Sequence, residues 1–536
     1  MDSVSLKRSA HQSRGELLQY IKTIRVVVAV VILILVSVIF LDFTGSIPAS
    51  WTSGFVALQL VPSLTKLFTG LTLTSLGLVF VLLLTLLVGR VYCSTICPLG
   101  TLQDIVIRLT RRMKRKKWYR YKKAPLLIHY GLLALSVLSA FAGSMLLVDL
   151  LEPFSNFGRI LTNLADPVVV SVNNATAFVL GRFGIFSLYR VPLIHLQVVV
   201  LLYTLAFLAF IVYLSAQHGR LFCNMLCPAG ALLGLLSKLS LYKISIIEER
   251  CTDCGFCEMV CKANCIDSEA KKIDFHACVG CFNCIDSCPT VGLTFEGFWK
   301  KKTIAAPEPV NAPRRAFLGA LVATTSAMIV PADSTKSAGT PNQVSYDDSR
   351  WMPVTPPGSR GRERFSNLCT ACQLCVSVCP TQVLTPSLLE YGIAGLMQPK
   401  MNYSGSSCNY ECVMCTQVCP TGAILPLDPP AKKEVQLGKA AFVKEDCIVI
   451  TKKKDCGACS EHCPTKAVKM VPYEGKLFLP ELNNDICVGC GACEHPCPTT
   501  PKKAIYVVAN PVHLKAKKPP VQKLENPLES QKDFPF

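Results

Sequence analysis

The sequence predicts a helical membrane bundle with small cysteine-rich α+β domains on both of its sides. Three observations lead there. Of 536 residues, 51% are hydrophobic and only 17% charged, with a mean hydropathy of +0.39, a balance foreign to ordinary soluble enzymes. The apolar residues collect in long runs within the first half of the chain. The 29 cysteines recur largely in groups of four, and their odd number excludes complete disulfide pairing within one chain.

Four apolar runs, at about 24–41, 71–88, 124–147 and 192–216, approach or exceed the roughly 20 residues that cross a bilayer core of about 30 Å. No small-residue cleavage site closely follows the first run and more spans come after it, so it is read as a span rather than a removed signal. The net charge of +19 first suggests a nucleic-acid partner. However, 32 basic and 17 acidic residues fall in 1–331 against 23 and 19 in the remainder, and the surplus flanks the apolar runs. That position records membrane orientation, with no nucleic acid implied.

Lys7, Arg8, Arg14, Lys22 and Arg25 precede the first run. Arg108, Arg111, Arg112, Lys114, Arg115, Lys116, Lys117, Arg120, Lys122 and Lys123 separate the second from the third. Both segments are expected on the cytoplasmic side of a bacterial inner membrane. The connections holding Asp42 and Lys66, and Asp149, Glu152, Arg159, Asp166, Arg182 and Arg190, are charge-balanced and expected outside. Four spans return the chain to the cytoplasm near Gly219.

The expected organisation is a four-helix membrane domain (1–245), a cytoplasmic cysteine-rich domain (246–298), a linker with a fifth, shorter apolar run (299–331), a flexible linker (332–364), a periplasmic cysteine-rich domain (365–510) and a Lys/Pro-rich tail (511–536). In the first linker, Arg314-Arg315-Ala316-Phe317-Leu318 resembles a twin-arginine export signal, with Gly319 where Lys is common. Its apolar run of about 15 residues reaches only about 22 Å. Export signal and fifth span both place the remaining chain outside.

Twenty-four cysteines form six groups. On the cytoplasmic side are Cys251, Cys254, Cys257 and Cys261, then Cys278, Cys281, Cys284 and Cys288. In the C-terminal domain are Cys369, Cys372, Cys375 and Cys379; Cys408, Cys412, Cys415 and Cys419; Cys447, Cys456, Cys459 and Cys463; and Cys487, Cys490, Cys493 and Cys497. The run C-x2-C-x2-C-x3-C-P is the bacterial ferredoxin pattern, in which three close thiolates hold one [4Fe-4S] cube and the fourth commonly reaches the neighbouring cube. Zinc prefers two separated C-x2-C knuckles. Six [4Fe-4S] clusters are therefore expected. Two groups depart from the spacing, at Cys408-x3-Cys412 and between Cys447 and Cys456. Lys262 replaces the usual Pro after Cys261, and Cys265 follows as a spare thiol.

The other four cysteines make a repeat. Gly89-Arg90-Val91-Tyr92-Cys93-x3-Cys97-Pro98-Leu99-Gly100 and Gly219-Arg220-Leu221-Phe222-Cys223-x3-Cys227-Pro228-Ala229-Gly230 are near copies, each closing an outside-to-inside span. The bundle is thus expected to be two repeated helical hairpins. The four thiols could hold an additional cluster or metal, act as dithiols, or cap packed helix turns.

These repeats followed by a two-cluster segment resemble the NapH/MauN type of membrane ferredoxin, and the C-terminal domain resembles its NapG/MauM type exported partner. The resemblance covers nearly the whole chain and implies a fusion of the two. It further implies oxidation of membrane quinol and delivery of electrons to a periplasmic reductase or cytochrome. Two other readings stand beside it: export of electrons from a cytoplasmic donor, and a membrane redox sensor or maturation factor. No C-x-x-C-H, G-x-G-x-x-G or P-loop is present, so neither covalent haem nor a nucleotide cofactor is indicated. Quinol oxidation needs polar groups beside an apolar pocket, and His129, His195 and His218 are the candidates, with Asp149 and Glu152 at the outer face. No span carries an evident set of redox ligands. The crossing is left to a cofactor at the four repeat thiols, a mobile quinone or a partner subunit.

Overall fold

The computed structural model describes residues 2–42, 44–69, 76–113, 120–122, 125–191, 193, 197–297 and 352–518. The twin-arginine-like segment, His195 and residues 71–75 of the second apolar run lie outside them. In chain order the main helices are α1 (Asp2–Leu41), α2 (Leu76–Val88), α3 (Pro98–Met113), α4 (Leu126–Phe141), α5 (Pro153–Arg182), α6 (Val198–His218) and α7 (Pro228–Ser237).

Among the described residues three helices are long and apolar enough to cross a membrane: Tyr20–Leu41 of α1, α5 and α6, while α2 and α4 are shorter. The described helices do not by themselves count the expected four spans, because residues 71–75 of the second run lie outside them and α5 occupies the stretch expected as an outer connection. Its polar residues disguised it. Asn156, Arg159 and Asn163 recur at helical spacing and are all buried, so their polarity faces protein rather than lipid or water. Glu152 caps the start by accepting from the backbone N–H groups of Phe154 and Ser155, and Pro153 fits the first turn, where no N–H is needed. A π-helical turn at Leu161–Ala165 lies within it.

Near Lys22, α1 meets a small α+β domain through an ion pair to Asp286. In that domain β1 (Tyr242–Ile246) pairs antiparallel with β4 (Leu293–Gly297), and β2 (Ile266–Asp267) with β3 (Lys272–Ile273). It is tied to the bundle by backbone bonds, Arg220 N–H to the Lys262 carbonyl (2.8 Å) and Leu241 N–H to the Leu86 carbonyl (2.8 Å).

At the other end of α1, Phe40 packs on Phe154 with ring centroids 5.6 Å apart, and both adjoin the C-terminal domain at Cys372. Eighteen helical residues separate Lys22 from Phe40, about 27 Å of rise. The two cysteine-rich domains thus meet opposite ends of one apolar helix. The C-terminal domain holds the antiparallel pairs β5 (Leu384–Pro386) with β6 (Pro399–Met401), β7 (Val435–Phe442) with β10 (Ile505–Lys515), and β8 (Val468–Pro472) with β9 (Phe478–Leu482). Its halves are joined by the Tyr403 hydroxyl donating to the Gly489 carbonyl (2.7 Å) and Cys408 N–H to the Cys490 carbonyl (2.9 Å). One continuous apolar core runs from Val279 and Phe282, through Cys93 and Cys223, to Cys372 and Leu374.

Candidate metal centres

The repeat builds two equivalent turns. Gly89 and Gly219 take positive φ, +81° and +67°, a conformation open to glycine at little cost, and reverse the chain after α2 and α6. Each turn then closes with a wide bond, Cys97 N–H to the Tyr92 carbonyl and Cys227 N–H to the Phe222 carbonyl, both 3.0 Å. Pro98 and Pro228 begin α3 and α7, where a missing N–H costs nothing. Gly100 and Gly230 are required by contact: a Cβ would overlap the Cys93 or Cys223 carbonyl oxygen and crowd the guanidinium of Arg220 or Arg90.

The two turns face each other and exchange arginines. Arg90 reaches the Cys223 carbonyl (3.0 Å), and Arg220 reaches the Cys93 carbonyl in the mirrored contact. The four thiols converge between them: Cys97 interacts electrostatically with Cys93 and Cys223, and Cys227 with all three others. Cys223 also donates to Gln103 Oε1 (3.5 Å), and the Gly230 N–H donates to Cys227 Sγ (3.3 Å).

Charge around this site is unbalanced. Arg90 and Arg220 are 1% and 0% exposed. Asp104 serves Arg220 (2.8 Å), Lys262 (3.2 Å) and Arg25 (3.4 Å) together. Arg90 meets no carboxylate among the described residues; its partners are Asn224 Oδ1 (3.1 Å), the His276 carbonyl (2.6 Å) and the Cys223 carbonyl. Three of these four buried or nearly buried cations share one carboxylate and Arg90 has none, a surplus that an anionic group at the thiols would balance.

The six ferredoxin-pattern groups assemble crosswise. Cys251, Cys254 and Cys257 line one cavity with Cys288, while Cys278, Cys281 and Cys284 line another with Cys261 and Cys265. Cys447, Cys456 and Cys459 share a third with Cys497. Cys487 and Cys493 interact with Cys463, Cys369 and Cys375 with Cys419, and Cys408 and Cys415 with Cys379. In each pair of motifs the fourth cysteine crosses to its neighbour's set, as ferredoxin cubes require. The longer loops before Cys412 and Cys456 do not disturb this.

These sets fit four-iron clusters better than single ions. Among the described residues no three His, Cys, Asp or Glu side chains sit close enough to hold one metal ion, and a cube spaces its thiolates more widely than one ion does. Backbone N–H groups point at the sulfurs, from Gly292 to Cys288 (3.3 Å), Ala467 to Cys463 (3.2 Å) and Ile424 to Cys419 (3.4 Å). Such donors favour the thiolate that metal binding demands. Cys261 and Cys265 lie with sulfurs 3.5 Å apart. Hydrogen bonding from Cys265 holds the Cys261 thiol down to about 7.

Of the quinol candidates, His129 is fully buried and its Nε2 engages the Cys227 carbonyl (3.1 Å); its ring meets His276 edge-on at 5.1 Å. It braces the second repeat turn. His218 meets the Tyr213 ring edge-on at 6.5 Å, and its carbonyl accepts from Asn264 (3.4 Å). The two are held by different partners. Sequence reasoning missed Arg90, Arg220 and Asp104, although the identical Gly-Arg placement before both cysteine pairs was a signal for the first two.

Comparison with known proteins agrees with this geometry. The 4Fe-4S binding domain family matches twice, at 71–117 and 200–246, once on each repeat. 4Fe-4S dicluster domain families match at 368–424 and 454–500. The chain is 29% identical over 224 residues to the putative electron transport protein YccM of Escherichia coli, covering 41% of this chain and 54% of that protein. It is 28% identical over 226 residues to the ferredoxin-type protein NapH of Haemophilus influenzae, 40% of this chain and 66% of that one. The ferredoxin-type protein NapF of Escherichia coli is 27% identical over 136 residues, 25% of this chain and 74% of that one. The chain thus spans about half to two thirds of YccM and NapH. No solved structure matches. The chain is an iron–sulfur protein related to these ferredoxin-type proteins.

Proposed function

We propose that this chain is a membrane electron-transfer protein that oxidises quinol and delivers electrons to a periplasmic reductase or cytochrome. The observation that carries the reading is the placement of thiol sets along α1: two crossed sets near Lys22, the four repeat thiols, and the Cys369 set beside Phe40. An apolar helix of membrane-spanning length joins sites that a bilayer would otherwise separate. The N-terminus and the 251–288 sets are assigned to the cytoplasm, and the C-terminal domain to the periplasm, on the distribution of Lys and Arg.

Bound clusters supply one-electron exchange. The chain's own contribution is arrangement. Crossed cysteines fix two sets in each ferredoxin unit at a constant separation, and the repeat turns hold four thiols against a surplus of buried cations. Phe40, Phe154 and Leu374 keep the junction with the C-terminal domain apolar. We assign an additional redox group to Cys93, Cys97, Cys223 and Cys227, which supplies the crossing that the rest of the bundle lacks.

Anaerobic purification with iron counting and EPR during quinol addition tests the reading. Roughly 24 iron atoms per chain from the six sets, more if the repeat thiols are filled, with quinol-driven reduction, are the expected result. Clusters that ignore quinol but accept electrons from a reduced ferredoxin would reverse the direction to electron export. Reduction by neither, with a partner's maturation lost on deletion, would replace transfer by a sensing or assembly role.

A further inference from the structure

A cleft of about 320 Å³ opens between α1, α3 and the β1–β4 domain, and neither His129 nor His218 lines it. Its mouth is formed by Val30 and Ile105, 43% and 39% exposed, and α1 continues beyond with the exposed apolar side chains Val27, Val31 and Ile34. The entrance therefore faces the side on which α1 would meet hydrocarbon. Its inner end is polar, closed by Arg25, Asp104 and Lys262.

We propose that this cleft binds the ring of a membrane quinone, its carbonyl oxygens accepting from the cationic inner end and its tail leaving between α1 and α3. The proposal rests on the quinol reading and gives that reading a site. The volume suits a ring with the start of a tail, and the combination of apolar walls with a few convergent polar groups is typical of small-molecule sites. Arg25 is 7% exposed and its Nε is buried without a hydrogen-bond partner, a donor that a carbonyl oxygen would satisfy.

Position gives the cleft its redox sense. Lys262 follows Cys261, Asn283 precedes Cys284 and Ser287 precedes Cys288, and all three line it. Arg25 also donates to the carbonyl of Ser94, next to Cys93 (3.1 Å). A molecule held here borders both cytoplasmic-side sets and the repeat thiols. Lys22 is paired with Asp286, and Arg25 and Lys262 share Asp104; Arg108 and Arg111 also line the cleft, Arg111 donating to the Met259 carbonyl (3.4 Å), so a phosphate headgroup is the competing occupant that the test must separate.

The test uses the full-length protein in anaerobic detergent, a photoreactive azidoquinone and peptide mapping, with Ala29→Phe to fill the cleft and Val30→Trp to block its mouth. Label on peptides of α1 and α3, reduced at least tenfold in both variants while iron content and dithionite-reduced EPR stay at wild-type level, is expected. If Ala29→Phe loses iron, Val30→Trp at the exposed mouth decides alone. Label elsewhere, with both variants reduced by quinol at the wild-type rate, overturns the site and leaves the quinol reading intact. Label in the cleft of a protein that quinol never reduces keeps the site and removes the dehydrogenase reading. Displacement of the label by an anionic phospholipid but not by excess unlabelled quinone overturns the proposal in favour of a lipid site.

Discussion

At Cys261 and Cys265 two sulfurs compete for one ligand position. Both line the cavity with Cys278, Cys281 and Cys284. Cys261 keeps the x3 spacing and is the thiol whose ionised form is favoured, while hydrogen bonding to Cys261 and Cys278, with burial, pushes the Cys265 thiol up and keeps it protonated. Metal binds the thiolate, so we assign Cys261, which keeps the ferredoxin spacing, as the ligand and Cys265 as its hydrogen-bond partner. Cys265→Ser, which retains a donor, is expected to leave the iron content unchanged. Cys261→Ser is expected to lose about four iron atoms per chain or to shift the EPR of that centre. The reverse pattern would transfer the assignment to Cys265. Spacing made the 24 ferredoxin-pattern cysteines legible because a cube imposes a local pattern on the chain. It could not reveal Arg90, Arg220 or Asp104, whose partners lie on the other copy of the repeat, on α1 (Arg25) or in the next domain (Lys262 and the His276 carbonyl). A basic residue at the end of a span reads first as a mark of orientation.

The repeat turn is the element that makes the membrane half chemical rather than merely apolar. Its glycines, aromatic, cysteines and proline each answer a local requirement, so the near-identity of the two copies was visible in the sequence. What was not visible is that the copies swap arginines. The asymmetry between those arginines yields a prediction. Arg220 shares Asp104 with two other cations, whereas Arg90 meets no carboxylate, only neutral oxygens and the Cys93 sulfur (3.9 Å). Arg90→Met therefore removes charge without stranding a carboxylate. The variant is expected to stay folded, with the six ferredoxin-pattern sets filled, and to show a more negative potential for the centre at the repeat thiols in a redox titration. An unchanged potential there would mean that the guanidinium only braces the turn. Helix α5 shows the opposite limit of legibility, for its interface polarity looked like the polarity of an outer loop.

At the scale of the whole molecule, the electron path requires the C-terminal domain to stay seated on the bundle. The seat is built around Arg159, 1% exposed, whose Nε donates to the Ala371 carbonyl (3.0 Å) and whose guanidinium lies 5.8 Å from the centre of the Tyr203 ring. Asn163 adds a bond to Gln373 Oε1 (2.7 Å), and Val200 packs with Ala371 and Met397. Buried arginines at the centre of such a contact carry a disproportionate share of its energy, about 2 kcal/mol or more on truncation, which is roughly 30-fold in affinity. If this contact, rather than the 299–364 connection, holds the domain in place, a protease site introduced within 332–351 should leave the two fragments co-eluting after cleavage. Adding Arg159→Ala should separate them during size exclusion at micromolar concentration, with clusters retained in both. Separation of the cleaved wild-type fragments would show instead that the covalent connection alone keeps the domains together, and that the route from the repeat thiols to the Cys369 set is not a standing contact.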